Sequence, residues 1–553
     1  MPSPFHLSCL GEPQLFDGAG ESIRFRTRKH FALLIRLALE PGHVFSRDSL
    51  TDLLWPDAPP ERARHSLSQA VSVLRAKLGR ENLLVRAASV GLRAGAVETD
   101  VAHLAAGTNG AIRGRFLDGF DVPGSRPFDD WKGQWTAQLI PKVRDALTRH
   151  MDAARRIADF TTVERHAQLL HDLDTTSEEA VRGLMESRAW VGDRSNALKI
   201  FRRYETLLAE ELGAKPSADL VRMAHLLRDG RGAVSHPPEP GQPPIPAHRR
   251  FEPEMLIGRE REFGALYDAW LDVRRRNPRI IVVLGDPGIG KTTLCNSFAA
   301  SCQMEGAVVA RVQAYDAERE LPFAVVSELI RQLVMQRAFA GADPEALSEL
   351  SRLAPEVLEA YPGVPKAAPS TPELTSLRLS DAFLKAVTAA SEETPLIVVV
   401  DDIHAADASS TAILHVASRK LSNARLLLVL TARRAELQTT DGPAALVSDG
   451  YLKWLQTVEL EPLPADIAEE VVRAHLGAGP EKHGTPPVAR ILQAANGNPL
   501  AIELLTREWV QHGAESLLRD LEALNTQPLP SLGIPRAIRT MFERLIQRLE
   551  PST

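Results

Sequence analysis

Hydrophobic positions along this chain change their spacing from one stretch to the next. Phe31, Leu34, Ile35 and Ala38 recur at helical spacing over residues 28–39, and Pro41-Gly42 ends the run. Ser46, with Ser49 after it, stands where a second helix would be capped; that helix runs to Trp55 and stops before Pro56. Pro59-Pro60 open a third helix, Glu61–Leu78, with one apolar stripe: Ala63, Leu67, Ala70, Val71, Leu74 and Leu78. After Gly79, short apolar runs at Leu83–Val85 and around Leu92 fit a hairpin. From Phe128 to about Arg228 the pattern is helical throughout, broken near residues 172–174, 192–193 and 213–216. Paired helices of this length predict a tetratricopeptide-like array, and another all-helical bundle fits the same spacing. Beyond residue 255 the pattern changes again. Unbroken apolar runs at Ile280–Leu284, Leu396–Val400 and Leu426–Leu430 alternate with helical stretches, as in a parallel sheet with crossover helices. After about Leu460 the chain reads as mainly helical.

Composition narrows this little. The chain has 553 residues, enough for three or four domains. With 44% hydrophobic and 25% charged residues it has globular composition and needs no disulfide scaffold. Its cysteines, Cys9, Cys295 and Cys302, are odd in number and lack CxxC spacing, which argues for neutral thiols in a reducing cytoplasm rather than a disulfide or zinc framework. The N-terminus lacks a charged segment followed by an apolar one, and no apolar run approaches the ~20 residues of a membrane span. A cytoplasmic protein without a membrane partner is therefore expected. Gly232–Arg250 contains six prolines and no apolar period, so it reads as an extended linker. The net charge of −6 does not mark the whole chain as a nucleic-acid binder, so charge has to be read locally.

The most specific chemistry follows the strand Ile280–Leu284. Gly285-Asp286-Pro287-Gly288-Ile289-Gly290-Lys291-Thr292-Thr293 matches G-x-x-x-x-G-K-[ST], with a strand before it and a helix after it. Glycines let successive backbone N–H groups face phosphate oxygens, and the helix N-terminus adds its dipole. Lys291 is then expected on the β- and γ-phosphates of ATP or ADP, and Thr292 on Mg²⁺. Leu396–Val400 runs into Asp401-Asp402. A carboxylate at the C-terminal end of a parallel strand beside the P-loop strand can hold Mg²⁺ or its water shell, the role expected of Asp401. Asp402 is the candidate for polarising the attacking water. Leu426–Leu430 ends in Thr431-Ala432-Arg433-Arg434, where Arg433 is placed to sense a γ-phosphate or to stand as a solvated loop charge.

Four short motifs around this site, Ile257-Gly258-Arg259-Glu260, DDIHAAD at Asp401–Asp407, TARR at Thr431–Arg434 and Gly497-Asn498-Pro499-Leu500, resemble those of the signal-transduction ATPases with numerous domains (STAND), regulatory relatives of AAA+ ATPases. The resemblance covers roughly residues 251–553. It implies that Ile257, Gly258 and Arg259 lie near the adenosine and that Pro499 packs on the base from a helical lid.

The helix Glu61–Leu78 carries a second kind of chemistry. Opposite its apolar stripe stand Arg62, Arg64, His65, Ser68, Gln69, Ser72 and Arg75. Residues 61–93 hold seven Lys/Arg against two acids in a chain that is acidic overall. Such a face suits base edges and phosphates, and it suits plain solvation as well. Leu74–Gly79 (LRAKLG), following Leu53-Leu54-Trp55-Pro56, resembles the winged helix of the Streptomyces antibiotic regulatory protein family. Glu178–Asp219, above all Glu211–Ser217 (ELGAKPS), resembles that family's bacterial transcriptional activation domain. The match covers roughly residues 1–230. Where the family usually has Gly-Tyr before its last wing strand, this chain reads Val90-Gly91-Leu92-Arg93, so its wing contacts are expected to differ.

Together these features predict a multidomain chain. Its parts are a winged helix-turn-helix (α+β) at 1–102, an all-α TPR-like activation domain at 103–231, a linker at 232–250, an α/β P-loop ATPase at 251–458, and a C-terminal helical lid with the start of a further module at 459–553. The stretch Arg536–Thr553 resembles the family's run into another winged helix, so the chain reads as a fragment that would continue into sensor repeats. The expected function is a transcriptional activator, switched by ATP/ADP with slow hydrolysis, that recruits RNA polymerase to promoter DNA at direct-repeat sites and self-associates. The rival reading is a nucleotide-switched signalling ATPase whose N-terminal domains bind protein. A processive remodelling motor would need pore loops and an arginine finger supplied in trans, and neither can be identified.

Overall fold

The computed structural model describes residues 5–105, 112–229, 256–336, 339, 341–369, 371–420, 424–437, 454–476 and 487–512. The proline-rich linker and the stretch Arg536–Thr553 lie outside the described residues. The chain divides into two compact units, one formed by residues 1–155, 160–187 and 200–215, the other by 156–159, 188–199 and 216–553.

In the first unit, β1 (Phe5–Ser8) pairs antiparallel with β2 (Gln14–Phe16) and parallel with β6 (Val97–Thr99). Helix α1 (Arg28–Ala38) is capped by Thr27, whose side chain accepts from the His30 N–H. β3 (Val44–Ser46) leads into α2 (Arg47–Leu54), capped by Ser46 as its sequence predicts; the Ser46 hydroxyl accepts from Ser49 N–H at 3.1 Å. Helix α3 (Pro60–Leu78) buries the six stripe residues read from the sequence. The hairpin is also present, as β4 (Leu83–Val85) and β5 (Ser89–Leu92), but β3 joins it to make a three-stranded sheet of order β3-β5-β4. Gly91 makes that joining possible, because a Cβ there would sit 2.4 Å from the His43 carbonyl oxygen. Leu92, which follows Gly91, is buried.

Helices follow along the chain: α4 (Asp100–Ala105), α5 (Arg126–Arg155), α6 (Phe160–Leu173), α7 (Glu178–Trp190), α8 (Arg194–Leu212) and α9 (Ala218–Asp229), the last within the second unit. The last residue of α5, Arg155, is only 5% exposed and donates to Glu186 (2.8 Å), to Glu179 (2.8 Å) and to Asp152 (2.9 Å). Glu186, on α7, is 2% exposed. A buried guanidinium is tolerable here because carboxylates surround it.

The second unit contains a five-stranded, all-parallel sheet of β7 (Arg279–Leu284), β8 (Val308–Gln313), β9 (Leu396–Asp401), β10 (Leu426–Ala432) and β11 (Leu455–Glu459), in the spatial order β11-β7-β10-β9-β8. Alternate residues of each central strand enter two separate cores. Ile280, Val282, Val398, Val400, Leu428 and Leu430 pack on one face with α12 (Ala324–Val334), α13 (Pro344–Leu350), α14 (Glu356–Ala360), α15 (Pro372–Glu393) and α16 (Ala408–Lys420). Ile281, Val283, Ile397, Val399, Leu427 and Val429 face α10 (Glu260–Arg274) and α11 (Lys291–Met304) on the other. Burial on both faces is why these strands read as unbroken apolar runs. After β10 comes the short α17 (Arg434–Leu437), and α18 (Ala465–Leu476), α19 (Val488–Ala495) and α20 (Pro499–His512) form a small helical subdomain with its own core.

One expectation is corrected. The strand carrying Asp401 does not lie beside the P-loop strand; β10 is inserted between β7 and β9. Chain order cannot reveal this, since crossover helices of ordinary length allow a strand to be skipped.

Candidate functional site

The P-loop lies between the C-terminal end of β7 and the start of α11. Gly290, at φ +101°, is the residue preceding α11. Gly285 and Ile289 are buried, Pro287, Gly288 and Thr293 half-buried, Asp286 and Thr292 exposed. The Lys291 side chain folds back over the loop, 7% exposed, and its ammonium donates to the carbonyls of Gly285 (2.9 Å) and Asp286 (3.1 Å). Burial holds its pKa below the usual lysine value, and the Asp402 and Asp401 charges offset part of that effect. Among the described residues no carboxylate comes within ion-pair distance of it. Neutral carbonyls are weak partners for a buried cation, so an anion in the loop would find an uncompensated positive charge.

Asp401 ends β9, 1% exposed, and each oxygen is engaged. One accepts from the Thr292 hydroxyl at 2.9 Å and from Arg311 at 2.6 Å; the other accepts from the Thr431 hydroxyl. The pairing of Thr292 with Asp401 joins the two residues expected at Mg²⁺, so the twisted sheet brings these strand ends together across the intervening β10. A hard cation takes oxygen ligands of this kind, and the donor set fits. Asp402 follows in a left-handed conformation, φ +54°, its N–H donating to Thr431 Oγ1 at 2.8 Å. Burial first, and the neighbouring Asp401 charge second, raise the Asp402 pKa above the usual aspartate range. His404, 2% exposed, pairs with Glu436 at 2.6 Å, and burial lowers its pKa. Glu436 also pairs with Arg433 at 2.8 Å, so Arg433 is tethered at the end of β10 rather than simply solvated.

The residues expected on the adenosine side are brought to the same region. Arg259, 6% exposed, donates to the carbonyls of Ile289 (3.2 Å) and Glu461 (2.7 Å), bracing the P-loop. Gly258 lies against Ile467 of α18, and Ile257 packs into the helical subdomain. Pro499 is the first residue of α20, half-buried.

Sequence reasoning missed three residues. Arg311, in the middle of β8, is the ion-pair partner of Asp401; a lone charge within the strand-like run Val308–Gln313 was its signal. The buried Thr431 hydroxyl bridges Asp401 to the Asp402 backbone. Asn498 donates to the Pro287 carbonyl of the P-loop at 2.9 Å.

On the first unit, Arg62, Arg64, His65, Ser68, Gln69 and Ser72 are exposed along one side of α3, while Arg75 is half-buried. Arg64 lies 3.5 Å from Asp48, Gln69 3.1 Å from His65, and Arg47 donates to Ser68 at 3.4 Å. Arg47, at the start of α2, therefore extends the basic face. Arg86, at the tip of the β4–β5 hairpin, and Arg93, which follows β5, are exposed too.

Comparison with known proteins agrees with this architecture. Residues 20–92 match the domain described as "Transcriptional regulatory protein, C terminal", 78–228 the "Bacterial transcriptional activator domain", and 255–430 the "AAA ATPase domain". The chain is 24% identical over 383 residues to the regulatory protein AfsR of Streptomyces griseus, covering 63% of this chain and 37% of that one. It is 26% identical over 228 residues to the transcriptional regulatory protein EmbR of Mycobacterium tuberculosis, covering 36% of this chain and 58% of that one. The solved structure of M. tuberculosis EmbR in complex with a low-affinity phosphopeptide aligns at a TM-score of 0.30 and 19% identity, over 49% of this chain and 71% of that one. The chain thus spans less than two thirds of the full length of the curated AfsR and EmbR proteins it matches. It carries a transcriptional-regulator C-terminal domain, a bacterial transcriptional activator domain and an AAA ATPase domain in this order. In this order of domains the chain is similar to the Streptomyces antibiotic regulatory protein family.

Proposed function

We propose that the protein is a cytoplasmic transcriptional activator that binds promoter DNA through α3 and whose self-association is set by ATP or ADP held with Mg²⁺ at the P-loop. The buried Lys291 ammonium, which lacks a carboxylate partner among the described residues beside the Thr292–Asp401 pair, carries the nucleotide part of this reading. Bound Mg²⁺ would neutralise charge on the β- and γ-phosphates, and Thr292 and Asp401 would hold it or its waters. Asp402, its carboxyl raised above the usual aspartate range, takes the proton of the attacking water, and Arg433, just after β10, senses the γ-phosphate. Hydrolysis is slow, in keeping with a STAND-type switch that needs long-lived states.

The exposed face of α3 supports the DNA part. Arg62, Arg64 and Gln69 divide between phosphates and base edges, with Arg47 and Arg86 on flanking phosphates. Half-buried Arg75 contributes less. The helical domain of α5–α8 recruits RNA polymerase and joins two copies on direct-repeat half-sites.

An electrophoretic shift on promoter fragments, at two salt concentrations and with ATP, ADP or no nucleotide, tests this. The expected result is salt-dependent, nucleotide-dependent binding in which Lys291→Ala loses only the nucleotide response. Asp402→Asn should retain ATP and hydrolyse it more slowly by roughly two to four orders of magnitude in single-turnover assays. Absence of DNA binding at low salt would favour the signalling ATPase whose N-terminal domains bind protein.

A further inference from the structure

We propose that Asn498 is a positioning residue that latches the helical lid onto the P-loop, so that lid closure and phosphate binding are coupled; this rests on the reading of the P-loop as a nucleotide site. Three successive P-loop carbonyls are held from outside the loop. The Asn498 side-chain amide donates to Pro287 O at 2.9 Å, the Leu500 N–H to Gly288 O at 3.2 Å, and the Arg259 guanidinium to Ile289 O at 3.2 Å. In a planar trans peptide the C=O and the following N–H point in opposite directions. Tethering these carbonyls therefore fixes the N–H groups of Gly288, Ile289 and Gly290, the amides that a P-loop turns towards phosphate. Within the loop the Ile289 N–H makes only a long bond of 3.3 Å, to the Asp286 carbonyl.

Two of the three tethers come from the lid, and the contact is close. Asn498 is 4% exposed, and a Cβ on Gly288 would sit 2.9 Å from its Oδ1 and 3.0 Å from Leu500 Cβ. Gly288, at φ +76°, therefore serves the loop's turn and the lid's approach together. The other end of the Asn498 side chain caps α20, its Oδ1 accepting from Ala501 N–H at 3.2 Å. One side chain thus both starts the lid helix and ties it to the loop. Coupling is reciprocal: if the closed lid orders the amides, phosphate on those amides must favour the closed lid by the same factor.

The two jobs of Asn498 separate by mutation. Asp and Ser cap helices about as well as Asn. Neither can donate to Pro287 O as Asn does: the carboxylate lacks the N–H and the serine is too short. Calorimetric titration of the full chain with ADP and Mg²⁺ should find Asn498→Asp and Asn498→Ser both weaker by about tenfold, the loss of roughly one buried hydrogen bond. Hydrogen exchange over α19 and α20 should show protection by ADP in the wild type and less in both variants. A cap-only role predicts wild-type affinity and wild-type protection in both, and that result would overturn the latch. Lys291→Ala is the separate control: if it binds ADP like the wild type, the phosphate-site reading itself fails.

Discussion

Two buried cations in this molecule have opposite surroundings. Arg155, 5% exposed, has three carboxylates within 2.9 Å; Lys291, 7% exposed, has two backbone carbonyls at 2.9 and 3.1 Å. The guanidinium's charge is used up inside the fold, where it ties α5 to α7. The ammonium's charge has no carboxylate within ion-pair distance among the described residues; Asp402, Asp401 and Asp286 act on it from farther off, and Asp401 already accepts from Thr292 and Arg311. Burial alone therefore does not mark a functional charge; burial without a compensating carboxylate does.

The strongest way to break this comparison is to remove each cation. Arg155→Ala takes away the guanidinium that Glu186 pairs with inside the fold and should cost about 3–5 kcal/mol, read from urea unfolding. The double change Arg155→Leu with Glu186→Leu should recover most of that, because the uncompensated charge is gone. Lys291→Ala should leave the apo protein as stable as the wild type and weaken ADP binding by about 1.5–3 kcal/mol in calorimetry. If Lys291→Ala destabilises the fold as Arg155→Ala does, the distinction collapses.

The acid beside Lys291 sharpens the picture through pH. Burial and Asp401 raise the Asp402 pKa, so the folded state keeps a proton over a window where the unfolded chain has lost it. Stability from this group is therefore present at low pH and declines as pH rises through that window. Hydrolysis runs the other way: as pH falls through the raised pKa the base is protonated, and the rate should drop about tenfold per pH unit. The acid limb should begin above the usual aspartate range and vanish from what residual activity Asp402→Asn retains.

The smallest expected effect is on the exposed face of α3. Arg64 and Asp48 are both largely exposed, so their pairing at 3.5 Å contributes little. Arg64→Ala should lower the salt slope of DNA binding by about one unit, as loss of a single phosphate contact does. Asp48→Ala should raise DNA affinity modestly, read from shift assays at two salt concentrations.

Much of this was legible in the sequence, and the reason differs from place to place. The six-residue stripe of α3 was readable because helical periodicity is a property of consecutive residues. The Ser46 cap was readable because its partner Ser49 is three residues away. Strand β3 was not readable: three residues carry too little pattern, and its pairing depends on the absence of a side chain at Gly91, far along the chain. The resemblance to known families pointed to Pro499 against the base; that the neighbouring Asn498 bonds the P-loop was not readable, because its partner Pro287 lies 211 residues away.

By itself the sequence determined the local chemistry: a glycine loop between strand and helix, a lysine and threonine at its end, an acid at the end of an apolar run, a basic face opposite an apolar stripe. Each is set by neighbours within a few residues, where backbone sterics and periodicity act. Only the tertiary structure decided which strand stands between β7 and β9, that Arg311 and Thr431 take the oxygens of Asp401, and that Asn498 closes on Pro287, 211 residues away. Those choices depend on how crossovers stack the strands and where the lid comes to rest, and burial enforces them, since a polar group removed from water must find whichever partner the fold brings to it.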